Sequence, residues 1–175
     1  TTPFCFSETT LEFQPNMPVS PTGLVGTGTC ENQITSYSLN TSGTPNGEEF
    51  TWSISPISAG SIVSGQGSTT VDVQWNSQTT PTALIKVISR LCNDEEVNTF
   101  PVTVHPQPTP VISQAGDLCP GALIPAELST AIIYDDFLWS PPSGPSASGN
   151  FFSVATSGEH SVTVTDVNGC QGTAY

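Results

Sequence analysis

The sequence has very little positive charge. Only Lys86 and Arg90 are basic among 175 residues, against 15 carboxylates, and the formal net charge is −13. Binding to nucleic acid or to anionic lipid requires a cationic surface, so the composition excludes both partners. The chain contains no run of 18 apolar residues and does not open with a charged segment followed by an apolar one. Neither membrane insertion nor a signal peptide is therefore predicted.

Helical periodicity is also missing. No window of eleven or more residues shows a clean 3.6-residue period, whereas 46 residues are Ser or Thr and 31 are Gly or Pro. Short alternating segments separated by turns every 8–12 residues are typical of β-sandwiches. We therefore predict an all-β fold made of tandem immunoglobulin-like sandwiches with one disulfide each.

One aromatic segment occurs twice. Phe50–Ile54 alternates apolar and polar residues, and Phe137–Ser140 repeats the pattern 87 residues further along the chain. Alternate side chains of a strand point to the same face, so the tryptophan in each copy shares a face with apolar neighbours. We predict that Trp52 and Trp139 are core residues, each packed against a disulfide.

The repeat predicts the division of the chain into modules. Residues 1–19 are expected to be the end of a preceding module plus a linker, because Cys5 aligns with Cys92 and a proline-rich segment follows each. Residues 20–107 are predicted to form one complete module. Residues 108–175 are predicted to form a second module whose last strand is truncated.

Five cysteines provide the strongest signal. Several connectivities are open to them, but the repeat favours pairing within each module, Cys30 with Cys92 and Cys119 with Cys170. Cys5 is then expected to pair outside this sequence, with a reactive thiol as the alternative. A metal site is disfavoured, because no Cys-x-x-Cys pair or histidine cluster is present. Disulfides imply an extracellular or cell-surface location.

Two motifs resemble a known family. The pattern WSISP…SGQGSTTVDVQW…IKVISRLCN…FPVTVHPQPTP is similar to the PKD-like and Ig-like modules repeated in very large secreted surface proteins of Bacteroidetes. The ending TSGEHSVTVTDVNGC resembles a companion module of the same proteins. The resemblance implies stalks of cell-surface adhesins, including gliding-motility adhesins exported by the type IX system, or spacers in secreted enzymes. It implies no catalytic residues.

Acidic residues are the candidates for a cofactor site. Calcium binds several oxygen ligands, so Asp135 and Asp136, or Asp94 and Glu95, could hold it. Adjacent acids beside turns are usually solvated, and that interpretation is favoured for these pairs. Otherwise no cofactor is expected. The segment Asp166–Gly169 resembles part of a calcium loop but has the composition of a tight hairpin turn, which we predict.

Catalysis is not expected. The sequence has no Gly-x-Ser-x-Gly motif. Its two histidines are His105 in the proline-rich connector and His160 at the start of a predicted strand, and they do not support a Ser-His-Asp arrangement. Trp75 and Phe151–Phe152 could stack on sugars, but their alternating placement favours burial. The loop predicted at Gly60–Ser68 is another candidate surface.

These observations lead to two hypotheses. We expect a non-enzymatic structural segment, a stalk or spacer of a large secreted or cell-surface adhesin or filament. Its partners would be neighbouring modules of the same polypeptide. The alternative is a module that binds carbohydrate or protein, such as surface glycans or other surface proteins, either by itself or appended to a secreted hydrolase.

Overall fold

The computed structural model describes residues 23–25, 28–40, 48–77, 82–92, 94–116, 126–154 and 157–175. These residues form β-strands and one 3₁₀ turn, Ile57–Ala59, without any α-helix, so the all-β prediction is confirmed. Within those ranges, no helix has the length and apolar character needed to cross a membrane. In chain order the strands are β1 (Leu24–Val25), β2 (Thr29–Cys30), β3 (Ile34–Leu39), β4 (Glu49–Ser55), β5 (Gly60–Ser64), β6 (Thr70–Trp75), β7 (Thr82–Leu91), β8 (Asp94–His105), β9 (Ile112–Ala115), β10 (Glu127–Thr130), β11 (Asp136–Ser140), β12 (Ala147–Ser148), β13 (Phe151–Ser153), β14 (Ser161–Thr165) and β15 (Gln171–Ala174).

Strands β1 to β8 form two four-stranded sheets, which we call the first sandwich. The strand orders are β1-β3-β6-β5 and β2-β8-β7-β4. Strand β2 runs parallel to β8, whereas the other pairs are antiparallel. An immunoglobulin domain has a similar division, with strands A, B, E and D in one sheet and C, F and G in the other, and β2 is an additional strand beside β8. The buried core comprises Tyr37, Leu39, Phe50, Trp52, Ala59, Val71, Val73, Trp75, Ala83, Ile85, Val87, Val102 and Val104.

Strands β9 to β15 form the second sandwich. Its sheets have the orders β13-β10-β9 and β12-β11-β14-β15. The buried core is smaller and comprises Leu128, Phe137, Trp139, Val162 and Val164. Including the partly buried residues packed on them, the first core uses residues 24–104 and the second uses residues 112–174. The segment between the two cores is therefore short.

Both repeated tryptophans are buried, as predicted. Trp52 is 2% exposed and Trp139 is 0% exposed. Each indole donates its Nε1–H to a backbone carbonyl 2.8 Å away, that of Ser68 for Trp52 and that of Gly149 for Trp139. A buried indole loses free energy unless its single donor is bonded, so these carbonyls complete each site.

The segment after β4 differs from expectation. The sequence predicts a loop over residues 60–68, but the first half of that range forms β5, which pairs with β6 across a register shift between Ile62 and Ser64. Gly65 comes next with φ +85°, and a Cβ there would lie 2.1 Å from the carbonyl oxygen of Thr70. Only glycine fits at this position, so Gly65 marks the end of β5.

The last strand of the second sandwich is the one that the sequence predicts to be truncated. The structure forms the four-residue strand β15, which pairs with β14 from Val162↔Ala174 to Thr165↔Gln171. This strand occupies the position that the twelve-residue β8 has beside β7 in the first sandwich.

Candidate functional site at the junction of the two sandwiches

The second sandwich presents a hairpin turn toward the first. The Asp166 carboxylate oxygen Oδ1 accepts hydrogen bonds from the backbone N–H groups of Asn168 and Cys170, both at 2.9 Å. The backbone of Asp166 bonds to Gly169 and to Cys170, each also at 2.9 Å. Gly169 has φ +79°, which favours glycine. The predicted hairpin turn is confirmed, and the carboxylate that suggested calcium instead positions Cys170.

The first sandwich contributes the turn that comes after β2. Cys30 lies in β2 opposite His105, the last residue of β8. The backbone N–H of Glu31 donates to the carbonyl oxygen of His105 at 2.8 Å, and its carboxylate Oε1 accepts the N–H of Gln107 at 3.1 Å. Asn32, with φ 61°, donates from its side chain to the Gln107 side chain at 3.4 Å. The turn therefore holds the start of the connecting segment.

A disulfide joins these two turns. Cys30 is bonded to Cys170 across 140 sequence positions, with a Cα–Cα distance of 5.6 Å. Both cysteines are buried. We call the surrounding residues, Cys30–Asn32, 105–110 and 166–172, the junction. The disulfide connects the two sandwiches to each other, and neither sandwich contains it alone.

This finding corrects the predicted pairing within modules. Cys92 is an exposed free thiol with φ 56° in the tight turn between β7 and β8. Cys30 lies beside the opposite end of β8, which runs from Asp94 to His105, and that length corresponds to ~36 Å at ~3.3 Å per residue. A disulfide requires Cα atoms about 5.5 Å apart, so Cys30 and Cys92 cannot pair.

The other predicted pair fails because Cys170 is already bonded to Cys30. Cys119 and Cys5 lie outside the described residues. Trp52 and Trp139 are core residues, but the predicted packing of Trp52 on a Cys30–Cys92 bond and of Trp139 on a Cys119–Cys170 bond is wrong, since neither bond forms.

The connecting segment also lies against the last strand. A Cβ built on Gly172 in β15 would lie 1.8 Å from the carbonyl oxygen of Pro108. Pro108 is half-buried and Pro110 is buried. The absence of a side chain at residue 172 is therefore what lets the proline segment lie on the second sandwich. Contacts on both sides fix this segment, as the disulfide fixes the turns.

The acidic residues that could bind calcium do not form a shared site in the structure. Glu95 is paired with Arg90 at 2.9 Å across the β7–β8 hairpin, next to exposed Asp94. Asp136 accepts the backbone N–H of Phe137 at 2.8 Å, and Asp135 is exposed. No group of three or more His, Cys, Asp or Glu side chains that could hold a metal occurs in the described part of the chain.

The aromatic candidates divide into two classes. Trp75 is 0% exposed, and its Nε1–H donates to the Tyr37 hydroxyl at 3.1 Å, so it cannot act as a sugar platform. Phe152 is half-buried and stacks on Trp139 with ring centroids 5.8 Å apart. Phe151, in contrast, is 55% exposed, which contradicts the burial expected for it. Phe151 is the predicted platform residue that stays accessible.

The two histidines contact neighbouring residues of the fold. His105 ends β8 at the junction. A Cβ built on Gly28 would lie 3.0 Å from the Nε2 atom of the His105 ring. His160 donates its Nδ1–H to the carbonyl oxygen of Gly158 at 3.0 Å, and its ring lies against Phe152. Neither contact supplies a nucleophile for a catalytic arrangement.

The function of this chain is argued from its geometry, because comparison with known proteins indicates none. Searches against protein-family models and against curated protein sequences find no match to this chain.

Proposed function

We propose that this chain is a non-enzymatic structural segment, a spacer in the stalk of a large secreted or cell-surface adhesin or filament. The observation that carries the proposal is the bond between Cys30 and Cys170, because it fixes one sandwich to the next. A spacer must hold a set distance between the domains on its two sides. Domains joined by a linker alone would move relative to each other.

The compartment is supported in part by the same bond. Disulfides persist in oxidising environments outside the cytoplasm. The extracellular location belongs to the proposal, and the net charge of −13 supports it through solubility and repulsion between neighbouring copies.

The resemblance to surface proteins of Bacteroidetes supports the adhesin form of the proposal. A stalk of a gliding-motility adhesin, exported by the type IX system, needs many modules that repeat one connection. The partners of this segment would then be neighbouring modules of the same polypeptide. Two features of the chain suit such a connection: a proline segment held on both sides and a turn motif that presents a cysteine.

The spacer proposal is tested by the distance between the sandwiches in solution. Non-cysteine spin labels at Thr99 and Ser143, both exposed, place one probe on each sandwich. We expect a single narrow distance distribution by pulsed electron resonance. A broad distribution in the oxidised protein would show that the junction does not hold the two sandwiches and would refute the spacer proposal.

The binding alternative is tested separately with the same protein. A stalk segment should give no saturable signal on a glycan array or on cell surfaces. Saturable binding that is lost in Phe151→Ala but kept in Val63→Ala, another exposed apolar residue, would favour a recognition module instead.

A further inference from the structure

The disulfide changes how tension would pass through the chain. Cys30 and Cys170 are joined directly, and the 139 residues between them include both cores. Within the 175-residue sequence, residues 1–29 and 171–175 lie outside this closed loop. Force applied to the chain outside the loop enters at Cys30 and leaves at Cys170.

We propose that the Cys30–Cys170 bond is the element that carries tension, so that both sandwiches are bypassed when the chain is pulled. This inference rests on the proposed stalk function and adds a mechanism to it. Disulfides within each module would have left the connecting segment in series with the modules. With a bond between the modules, the load bypasses this segment, and the distance between Cys30 and Cys170 cannot increase under tension.

The junction protects the bond that would carry the load. Cys30 is 6% exposed and Cys170 is 0% exposed. Thiol–disulfide exchange requires a thiolate to reach one of the sulfur atoms, so burial slows attack. The Asp166 carboxylate holds the Cys170 turn, and Glu31 holds the segment that begins at Gln107. These contacts keep the sulfur atoms covered while the chain is at rest.

The strands at the ends of the loop are short, which lets force reach the bond early. On one side only β1 and β2, of two residues each, precede Glu31 in the described part of the chain. On the other side, β15 has four residues beyond Cys170. Peeling these short strands exposes little length before the disulfide becomes taut. The strands within the loop, including the long β7–β8 hairpin, would not be loaded.

Single-molecule force spectroscopy tests the proposal on the full chain held by handles fused to both ends. The 34 residues outside the loop can extend by about 110–120 Å, whereas all 175 residues can extend by about 580–630 Å. We expect the shorter limit for the oxidised protein and the longer one for Cys30→Ser/Cys170→Ser. Cys92→Ser is the matched control and should retain the short limit, because Cys92 is not bonded.

A second measurement keeps the test decisive if the double variant does not fold. With the oxidised protein held at constant force, a dithiol reductant is added. The dithiol gives two electrons and is oxidised to a cyclic disulfide, while Cys30 and Cys170 are each released as a thiol bearing a proton. The chain should lengthen by about 460–500 Å in total, which corresponds to the 140 released residue spacings, with separate steps where the two sandwiches unfold one after the other.

The outcomes separate this mechanism from the stalk function. Full extension of the oxidised wild type without reductant would overturn the load path, whatever the label distances show. Repeating the comparison with Cys5, Cys92 and Cys119 all changed to serine assigns the short limit to one bond. Loss of the short limit in that background would also overturn the proposal. A failed spacer test with a short limit intact would refute the stalk function alone.

Discussion

The side chain of Gln66 pairs with the backbone of Trp52 as a neighbouring strand would. Its Oε1 accepts the Trp52 N–H at 2.7 Å, and its Nε2 donates to the Trp52 carbonyl at 2.8 Å. Strand β4, which contains Trp52, lies at the edge of its sheet. In the second sandwich the corresponding edge of β11 is covered by β12, with Trp139 opposite Ala147. The Gln66 side chain in the first sandwich therefore bonds to the edge of β4, as strand β12 pairs with the edge of β11 in the second sandwich.

Removing this amide should destabilise the first sandwich. Gln66→Ala leaves a backbone N–H and a carbonyl of Trp52 without their partners, and two typical hydrogen bonds contribute about 1–3 kcal/mol. Denaturant unfolding followed by tryptophan fluorescence measures the change. Gln66→Glu keeps the acceptor for the Trp52 N–H but sets a carboxylate oxygen against the Trp52 carbonyl oxygen, so it should not restore the stability that Gln66→Ala loses. Equal stability of Gln66→Ala and wild type would mean that water replaces both bonds.

The buried face of a strand can be predicted from the sequence, because it depends on the alternation of neighbouring residues. In Thr70–Trp75, the span of β6, the alternation of Val71, Val73 and Trp75 with polar residues is enough to place the buried face. Strand β5 was missed because its sequence is rich in serine and glycine. Its place is set by pairing with β6, which no local pattern shows.

The partners in the disulfide could not be predicted from the sequence in the same way. The cysteine period correctly indicated equivalent positions, with Cys92 and Cys170 both at the turn before a last strand. Equivalence does not give partners, because Cys30 lies at the far end of its sandwich from Cys92. Pairing depends on which end of one sandwich meets the next. The close approach of Gly172 to Pro108, which fixes that meeting, has no signal in residue spacing.

The buried pair of Tyr37 and Trp75 gives a prediction in alkaline solution. Their rings meet edge to face at 6.1 Å, and burial raises the pKa of the Tyr37 hydroxyl. The folded protein thus holds this proton at pH values where an unfolded tyrosine, with pKa near 10, has lost it. Stability from this group is complete below about pH 10 and is lost as pH rises through the folded pKa.

Tyr37→Phe should remove that alkaline loss and lower stability at neutral pH. The variant leaves the Trp75 indole donor unpaired in the core, which costs about 1–3 kcal/mol. Thermal unfolding at pH 7 and above pH 10 measures both effects. A tyrosine outside this pair, Tyr175, is 80% exposed, so Tyr175→Phe is the control and should change neither.

Asp72 gives the opposite prediction in acid. Its carboxylate accepts hydrogen bonds from Ser36 on β3 and Ser64 on β5, and these bonds, that of Ser36 first, lower its pKa below the usual 3.8. A lowered folded pKa means that the stabilisation is present above about pH 4 and is lost as pH falls through the folded value. Asp72→Asn should therefore be less stable than wild type at pH 7, with the difference shrinking below pH 4. A difference that is constant from pH 7 to pH 2 would exclude this linkage.

Gly172 should not accept a side chain. An added Cβ would lie far inside contact distance of the Pro108 carbonyl, so either the proline segment or β15 must move. Forcing extra atoms into a packed site typically costs about 1–3 kcal/mol, and we expect this for Gly172→Ala in calorimetric unfolding. Gln171→Ala, the exposed neighbour on the same strand, should stay within about 0.5 kcal/mol of wild type. A neutral Gly172→Ala would show that the connecting segment does not lie on β15 in solution.

Cys92 should react with alkylating reagents in the native protein, whereas Cys30 and Cys170 should not. The Cys92 thiol is exposed in the β7–β8 turn, and reaction at cysteine depends on access as well as on thiolate content. Cys30 and Cys170 are buried and bonded to each other. Iodoacetamide treatment followed by digestion without reduction should give a carbamidomethylated Cys92 peptide and a linked Cys30–Cys170 peptide. A linked Cys30–Cys92 peptide would instead establish a bond within the first sandwich and would remove the covalent connection across the junction.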